Sequence, residues 1–110
     1  VLGGPWGCGR REAPPPVESA QIPVVLRDTF KAAKEPLAGI ARELIGAVEA
    51  GEWAKASVTA QVLSKEPALT AKQRELVARC LITINTQVTE AAATGNQDAQ
   101  EVRRMIRQDK

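Results

Sequence analysis

The sequence contains no histidine and no tyrosine, one phenylalanine, two tryptophans and two cysteines. Without histidine, the usual general base, the imidazole of a nucleophile triad and the commonest transition-metal ligand are all excluded. Two cysteines in dissimilar surroundings, Cys8 and Cys80, do not make a disulfide framework. An aromatic content of 3% leaves the core to Leu, Ile, Val and Ala, which suits helices packed closely together. No run of about 18 apolar residues occurs, so the chain holds no membrane-spanning helix. Fifteen basic residues against thirteen acidic ones give a net charge of +2, too small to imply nucleic acid by itself. The carboxylates, Glu43, Glu49 and Glu75 among them, are scattered rather than paired for acid–base work. These absences lead us to expect a protein that is not an enzyme, with no catalytic residues, cofactor, metal or small-molecule substrate.

What remains is ample for one small domain: 110 residues, 44% of them hydrophobic. The stretch from Leu69 to Gly95 organises the rest. Thr70 and Gln73 form a Thr-x-x-Gln capping box, a helix start signal. Leu76, Val77, Cys80, Leu81, Ile84, Val88 and Ala91 then recur at spacings of three and four, along one face of a helix. Gly95 supplies the left-handed residue that ends such a helix. At about 1.5 Å per residue the rod is roughly 36 Å long, a common floor for shorter helices.

Four further helices are read around it. Ile22 to Lys34 carries Leu26, Phe30 and Ala33 on one side, with Pro23 at its start. Glu35-Pro36 separates it from a second helix bearing Leu37, Ile40, Ala41, Leu44, Ile45 and Val48 and ending at Gly51. Gly39 and Gly46 inside that helix each cost about 1 kcal/mol unless they permit a close approach. Trp53 to Lys65 presents Trp53, Ala56, Ala60 and Leu63, with Val58 and Val62 expected to widen the apolar face. After Gly95, Asn96 is a good N-cap for a last helix with Ala99, Val102 and Ile106. The expected fold is all-α, with about five helices: antiparallel helical hairpins packed on one long central helix, over residues 22–110. Residues 1–21, with four Gly and four Pro, are expected to be a disordered, Pro-rich tether.

Two segments resemble known families. Cys8 follows Gly7 and precedes Gly9, Arg10, Arg11 and the Pro14-Pro15-Pro16 run. This resembles the N-terminus of a bacterial lipoprotein, in which a signal peptide ends just before a lipidated Cys and a flexible tether follows. Pro5 and Trp6 depart from the residues that family prefers ahead of its cysteine. Since the first residue is Val, further residues are expected upstream. The resemblance implies lipidation at Cys8, a membrane-anchored position in the bacterial cell envelope facing the periplasm, and a signal-peptide remnant in residues 1–7. Gly51-Glu52-Trp53-Ala54-Lys55-Ala56, with Pro67 downstream, resembles the middle of a tetratricopeptide repeat. That likeness covers a single hairpin, Leu37 to Pro67, and implies repeat-like packing rather than an array. Leu69-Thr70-x-x-Gln73 and Ala92-x-x-Gly95-Asn96-x-x-Ala99 also resemble small helical domains carried by bacterial lipoproteins of unassigned role.

The candidate interaction residues are Trp53 and the C-terminal group Arg103, Arg104 and Arg107. A Trp opening a hairpin is more often a packing wedge than a binding hot spot. The arginines lack an aromatic stacking platform and suit the negative end of a helix dipole, which disfavours nucleic acid. Cys80, on the apolar stripe, reads as a buried small hydrophobe. The functional expectation is therefore a helical protein-interaction module, lipid-anchored through Cys8, with a protein partner. The alternative is a soluble cytoplasmic helical adaptor or regulator that touches nucleic acid through its Arg-rich C-terminus.

Overall fold

The computed structural model describes residues 15–108. Among them are five α-helices and no strand: α1 (Ile22–Phe30), α2 (Leu37–Glu49), α3 (Trp53–Ser64), α4 (Ala71–Ala93) and α5 (Gln97–Gln108), with a short 3-10 turn at Ser19–Gln21 ahead of α1. The fold is all-α, as the periodicity requires. Successive helices form antiparallel hairpins, and α1, α3 and α5 all touch α4. At 23 residues α4 is the longest, about 35 Å of rod.

The local signals act as their chemistry dictates. The Thr70 hydroxyl accepts from the Gln73 backbone N–H at 3.0 Å, and the Gln73 side chain accepts from the Thr70 N–H at 2.9 Å. Together they satisfy two of the orphan donors at the start of α4. Gly51 and Gly95 stand at φ +72° and +100°. Each closes its helix with the same pair of bonds: Glu52 N–H to Ala47 and Gly51 N–H to Val48 after α2, Asn96 N–H to Ala91 and Gly95 N–H to Ala92 after α4. These are Schellman caps, in which glycine avoids the Cβ clash of the left-handed region. Asn96 then caps α5, its side-chain oxygen accepting from the Ala99 N–H at 2.8 Å. Helix α1 stops at Phe30, short of the expected Lys34.

One contiguous apolar core joins all five helices. Ile22, Leu26 and Phe30 enter it from α1, Ala41 and Leu44 from α2, Ala56, Ala60 and Leu63 from α3, and Ala99 and Val102 from α5. Val77, Cys80, Ile84 and Val88 of α4 are fully buried, each large aliphatic contributing about 1.5–3 kcal/mol. Leu81 and Ala91 sit half-buried at its margin, while Ala92 takes the deeper place. Phe30 is 5% exposed and anchors α1 as its spacing implied.

Two expectations are corrected. Val58 and Val62 do not widen the apolar face of α3; they are 43% and 49% exposed. At about 100° per residue both project well away from the line of Ala56 and Ala60, and Ser57 and Thr59 flank that line instead. The domain also begins earlier than residue 22. Val17 is 6% exposed and joins the core, while Pro15, Pro16, Glu18, Ala20 and Gln21 around it stay exposed. The remainder of that tether, with Cys8, lies outside the described residues.

Candidate functional site

The two Schellman caps bring the start of α3 beside the α4–α5 junction. Between them lies a cleft of about 380 Å³ lined by Glu52, Trp53, Lys55, Ala91, Asp98 and Ala99, among others. Trp53, first residue of α3, is half-buried: its ring packs against the core and also lines the cleft. It is thus a packing residue that also reaches the surface. The two small residues, Ala91 and Ala99, leave room beside the indole. Glu52 is the N-cap residue of α3 and Asp98 lies in the first turn of α5, where negative charge offsets the exposed N–H groups. Lys55 supplies the opposite sign. The cleft thus offers one flat apolar surface flanked by charges of both signs.

The arginines of α5 do not converge on it. Arg103 is half-buried, and Arg104 is exposed and pairs with Glu101 on the same helix at 3.4 Å. Such exposed pairs are worth little energetically, yet they reduce the positive field that a phosphate backbone would meet. The side chain of Arg107 lies outside the described residues.

A second cleft, about 470 Å³, runs between α1 and the first half of α4. Its apolar lining is Val24, Val25 and Leu76; Asp28, Lys72, Glu75 and Arg79 rim it. Nothing in the periodicity announced this site, because it is formed by residues of two helices far apart in sequence. At its edge an extended segment lies along α4. Arg79 Nε donates to the Pro15 carbonyl at 2.9 Å, the Val17 N–H donates to the Arg79 carbonyl at 3.4 Å, and the Thr83 hydroxyl donates to the Val17 carbonyl.

A third feature missed in the sequence is polar and internal. Ser57, fully buried on α3, donates to Asn85 Oδ1 of α4 at 3.0 Å, and Gln61 Nε2 donates to Ser57 Oγ at 3.1 Å. The signal was present: Ser57 and Gln61 are four apart, on a helix whose other buried residues are two alanines, a leucine and Thr59. No buried side-chain polar atom among the described residues lacks a partner, so this group is satisfied structure rather than poised chemistry.

The chemical inventory is otherwise sparse. Among the described residues, no group of three or more His, Cys, Asp or Glu could hold a metal ion. Cys80 is fully buried as a free thiol, and burial pushes its pKa up to about 11 against a smaller opposing pull from Arg79. Held in the neutral form, it is a poor nucleophile. No helix among the described residues is long and apolar enough to cross a membrane. Known protein families, curated proteins and solved structures provide no match to the chain.

Proposed function

We propose that this protein is a non-enzymatic helical interaction module, held at the bacterial cell envelope by lipid on Cys8 and offering the Trp53 cleft to a protein partner. The observation that carries this reading is the cleft itself: a half-buried indole beside two alanines, ringed by Glu52, Lys55 and Asp98. Aromatic anchors in small concave sites are the usual energetic centres of protein interfaces.

The position of the N-terminal segment supports the anchoring half. Pro15 and Val17 are held on α4 at Arg79 and Thr83, and Ala91 of the Trp53 cleft lies twelve residues further along the same helix. That is about 18 Å of helix between the arriving chain and the cleft. Cys8 precedes Pro15 by seven residues, a span of at most about 25 Å when extended. A lipid at Cys8 would keep the domain near the bilayer while leaving its binding cleft well away from the point of attachment.

Intact-mass spectrometry of the full precursor, expressed in a bacterium and recovered from membranes, tests the anchor. A mature chain starting at Cys8 with added acyl mass is expected, and Cys8→Ser should release the folded protein from the membrane fraction. An unmodified soluble chain that retains Val1 to Gly7 would remove the anchoring half and leave the adaptor reading.

A further inference from the structure

The connections between the five helices gather at two ends of the molecule. At one end the α1–α2 and α3–α4 connections lie side by side around a shallow hollow of about 310 Å³, lined in part by Ala32, Lys34, Pro36, Ala68 and Thr70. At the other end the α2–α3 and α4–α5 connections form the Trp53 cleft. Helix α4, about 35 Å of rod, spans the distance between them.

Charge is divided between these ends. Taken with one turn of each helix they join, the connections at the first end, residues 27–40 and 61–74, carry six basic residues and three acidic ones. Those at the second end, residues 46–56 and 90–100, carry one basic residue and four acidic ones. Ion pairs do not erase the division: Arg27 bonds to Glu49, Lys31 lies 3.6 Å from Asp28, and Glu35 pairs with Arg42 at 3.1 Å. With those set aside, the first end keeps Lys34, Lys65, Lys72 and Arg74 against the half-buried Glu66. Lys34, Lys65 and Lys72 are exposed, and none joins an ion pair among the described residues. Arg74, also exposed, donates to the neutral Ser64 carbonyl at 3.2 Å and keeps its charge. Two helix N-termini and two C-termini meet there, so their dipoles offset one another.

We propose that this basic end rests on an anionic lipid bilayer, with the Trp53 cleft at the far end of α4 turned away from it. The chemistry of the end favours a bilayer over a protein or a nucleic acid. Its exposed apolar residues are small, Ala32, Pro36, Pro67 and Ala68, whereas Phe30, Leu37 and Leu69 are buried in the core. There is thus no large anchor for a protein pocket and no aromatic platform for a base. A layer of anionic headgroups requires only cations at the surface. The acidic end does not cancel the attraction, because the screening length of about 8 Å at physiological salt is far shorter than α4. Arg79, which holds Pro15, stands eight residues from the start of α4, about 12 Å, so Pro15 lies nearer the basic end than the cleft. The attraction needs no lipid on Cys8; its setting at the cell envelope rests on the anchoring proposed for that residue.

The test uses the full 110-residue chain carrying Cys8→Ser, so that no lipid on the protein contributes. Co-sedimentation is expected with equimolar phosphatidylglycerol–phosphatidylcholine vesicles and not with phosphatidylcholine alone, and it should fade as salt is raised. Each cation near such a surface is worth on the order of fivefold in binding, so Lys34→Gln with Lys65→Gln should weaken it about 25-fold. Both sites are exposed, so the melting temperature should hold. Arg103→Gln with Arg104→Gln removes the same net charge from α5 and should leave binding within about threefold. Equal losses in the two double variants, or no loss in the first, would overturn the proposal. With a spin-labelled lipid in the vesicles, amide signals of residues 31–36 and 65–72 should be attenuated most and those of 50–55 and 94–98 least; the reverse order would refute the orientation. Capture by single-stranded RNA at the same salt, without vesicle binding, would assign the basic end to nucleic acid instead. Vesicle binding by a chain that cells leave without acyl mass would remove the Cys8 anchor and keep the basic end on the bilayer.

Discussion

Helix α4 meets α3 and α1 in opposite ways. Toward α3 it presents Cys80, Ile84 and Val88 to a helix whose buried line is Ala56, Ser57, Ala60 and Leu63. Small side chains let the two backbones approach, and the Ser57–Asn85 bond, with Gln61 donating to Ser57, fixes their register. Toward α1 the contact closes at Ile22, Leu26 and Phe30, but Val24, Asp28 and Glu75 stand apart and leave a trough. The same rod thus supports a close-packed, specific interface on one side and an open one on the other. Side-chain size explains the difference: alanines draw helices together, whereas valines and carboxylates pointing along a seam hold it open.

Substitutions can break this contrast, and the largest effect belongs to the close-packed side. Ile84→Ala, at a fully buried site, should cost about 2–5 kcal/mol in chemical denaturation. Ala60→Leu should cost about 1–3 kcal/mol by forcing α3 away from its neighbours. Val24→Ala, on the open side and 57% exposed, should stay within about 0.5 kcal/mol. Equal losses at Ile84 and Val24 would refute the contrast.

Cys80 sharpens it through pH. Its thiol is raised from 9.0 to about 11 in the folded protein. The unfolded state therefore loses its proton first, and the stability this group contributes is fully present below pH 9. That contribution declines as pH rises from about 9 toward 11, a fall of order 2–3 kcal/mol at most. Denaturation midpoints across that range should fall in wild type and fall less in Cys80→Ala. A change of opposite sign is expected at Gly46, exposed inside α2 with nothing within 4 Å of where a Cβ would stand. Gly46→Ala should stabilise by about 0.5–1 kcal/mol. Gly39→Ala should not gain as much, since its Cβ would sit 2.7 Å from the Glu35 carboxylate that accepts the Gly39 N–H.

How much of this could be read beforehand depended on how local the cause was. Thr70 with Gln73, Gly51, Gly95 and Asn96 act on their own helix ends, so each cap was legible in the order of residues. The apolar stripe of α2 was legible for the same reason. Val58 and Val62 misled because apolar character alone does not fix an angle; the deciding partners were Ser57 and Ala60, one of them polar. Val17 left no periodic trace, being a single apolar residue after three prolines, and its burial depends on Arg79 and Thr83 more than sixty positions away. The Trp53 cleft was half legible: the residue was evident, but the cavity exists only because Gly95 and Asn96 fold back beside it.

The bonds at Arg79 and Thr83 carry a mechanical consequence. The segment they hold runs alongside α4, so tension applied upstream of Pro15 loads those bonds in shear, several at once, instead of peeling them one by one. The load would pass into α4 ahead of α1, the short helix that follows residues 15–17 in sequence. Residues 15–17 thus work as a cable clamp: they isolate the apolar core, and with it the geometry around Trp53, from whatever pulls on the chain beyond them.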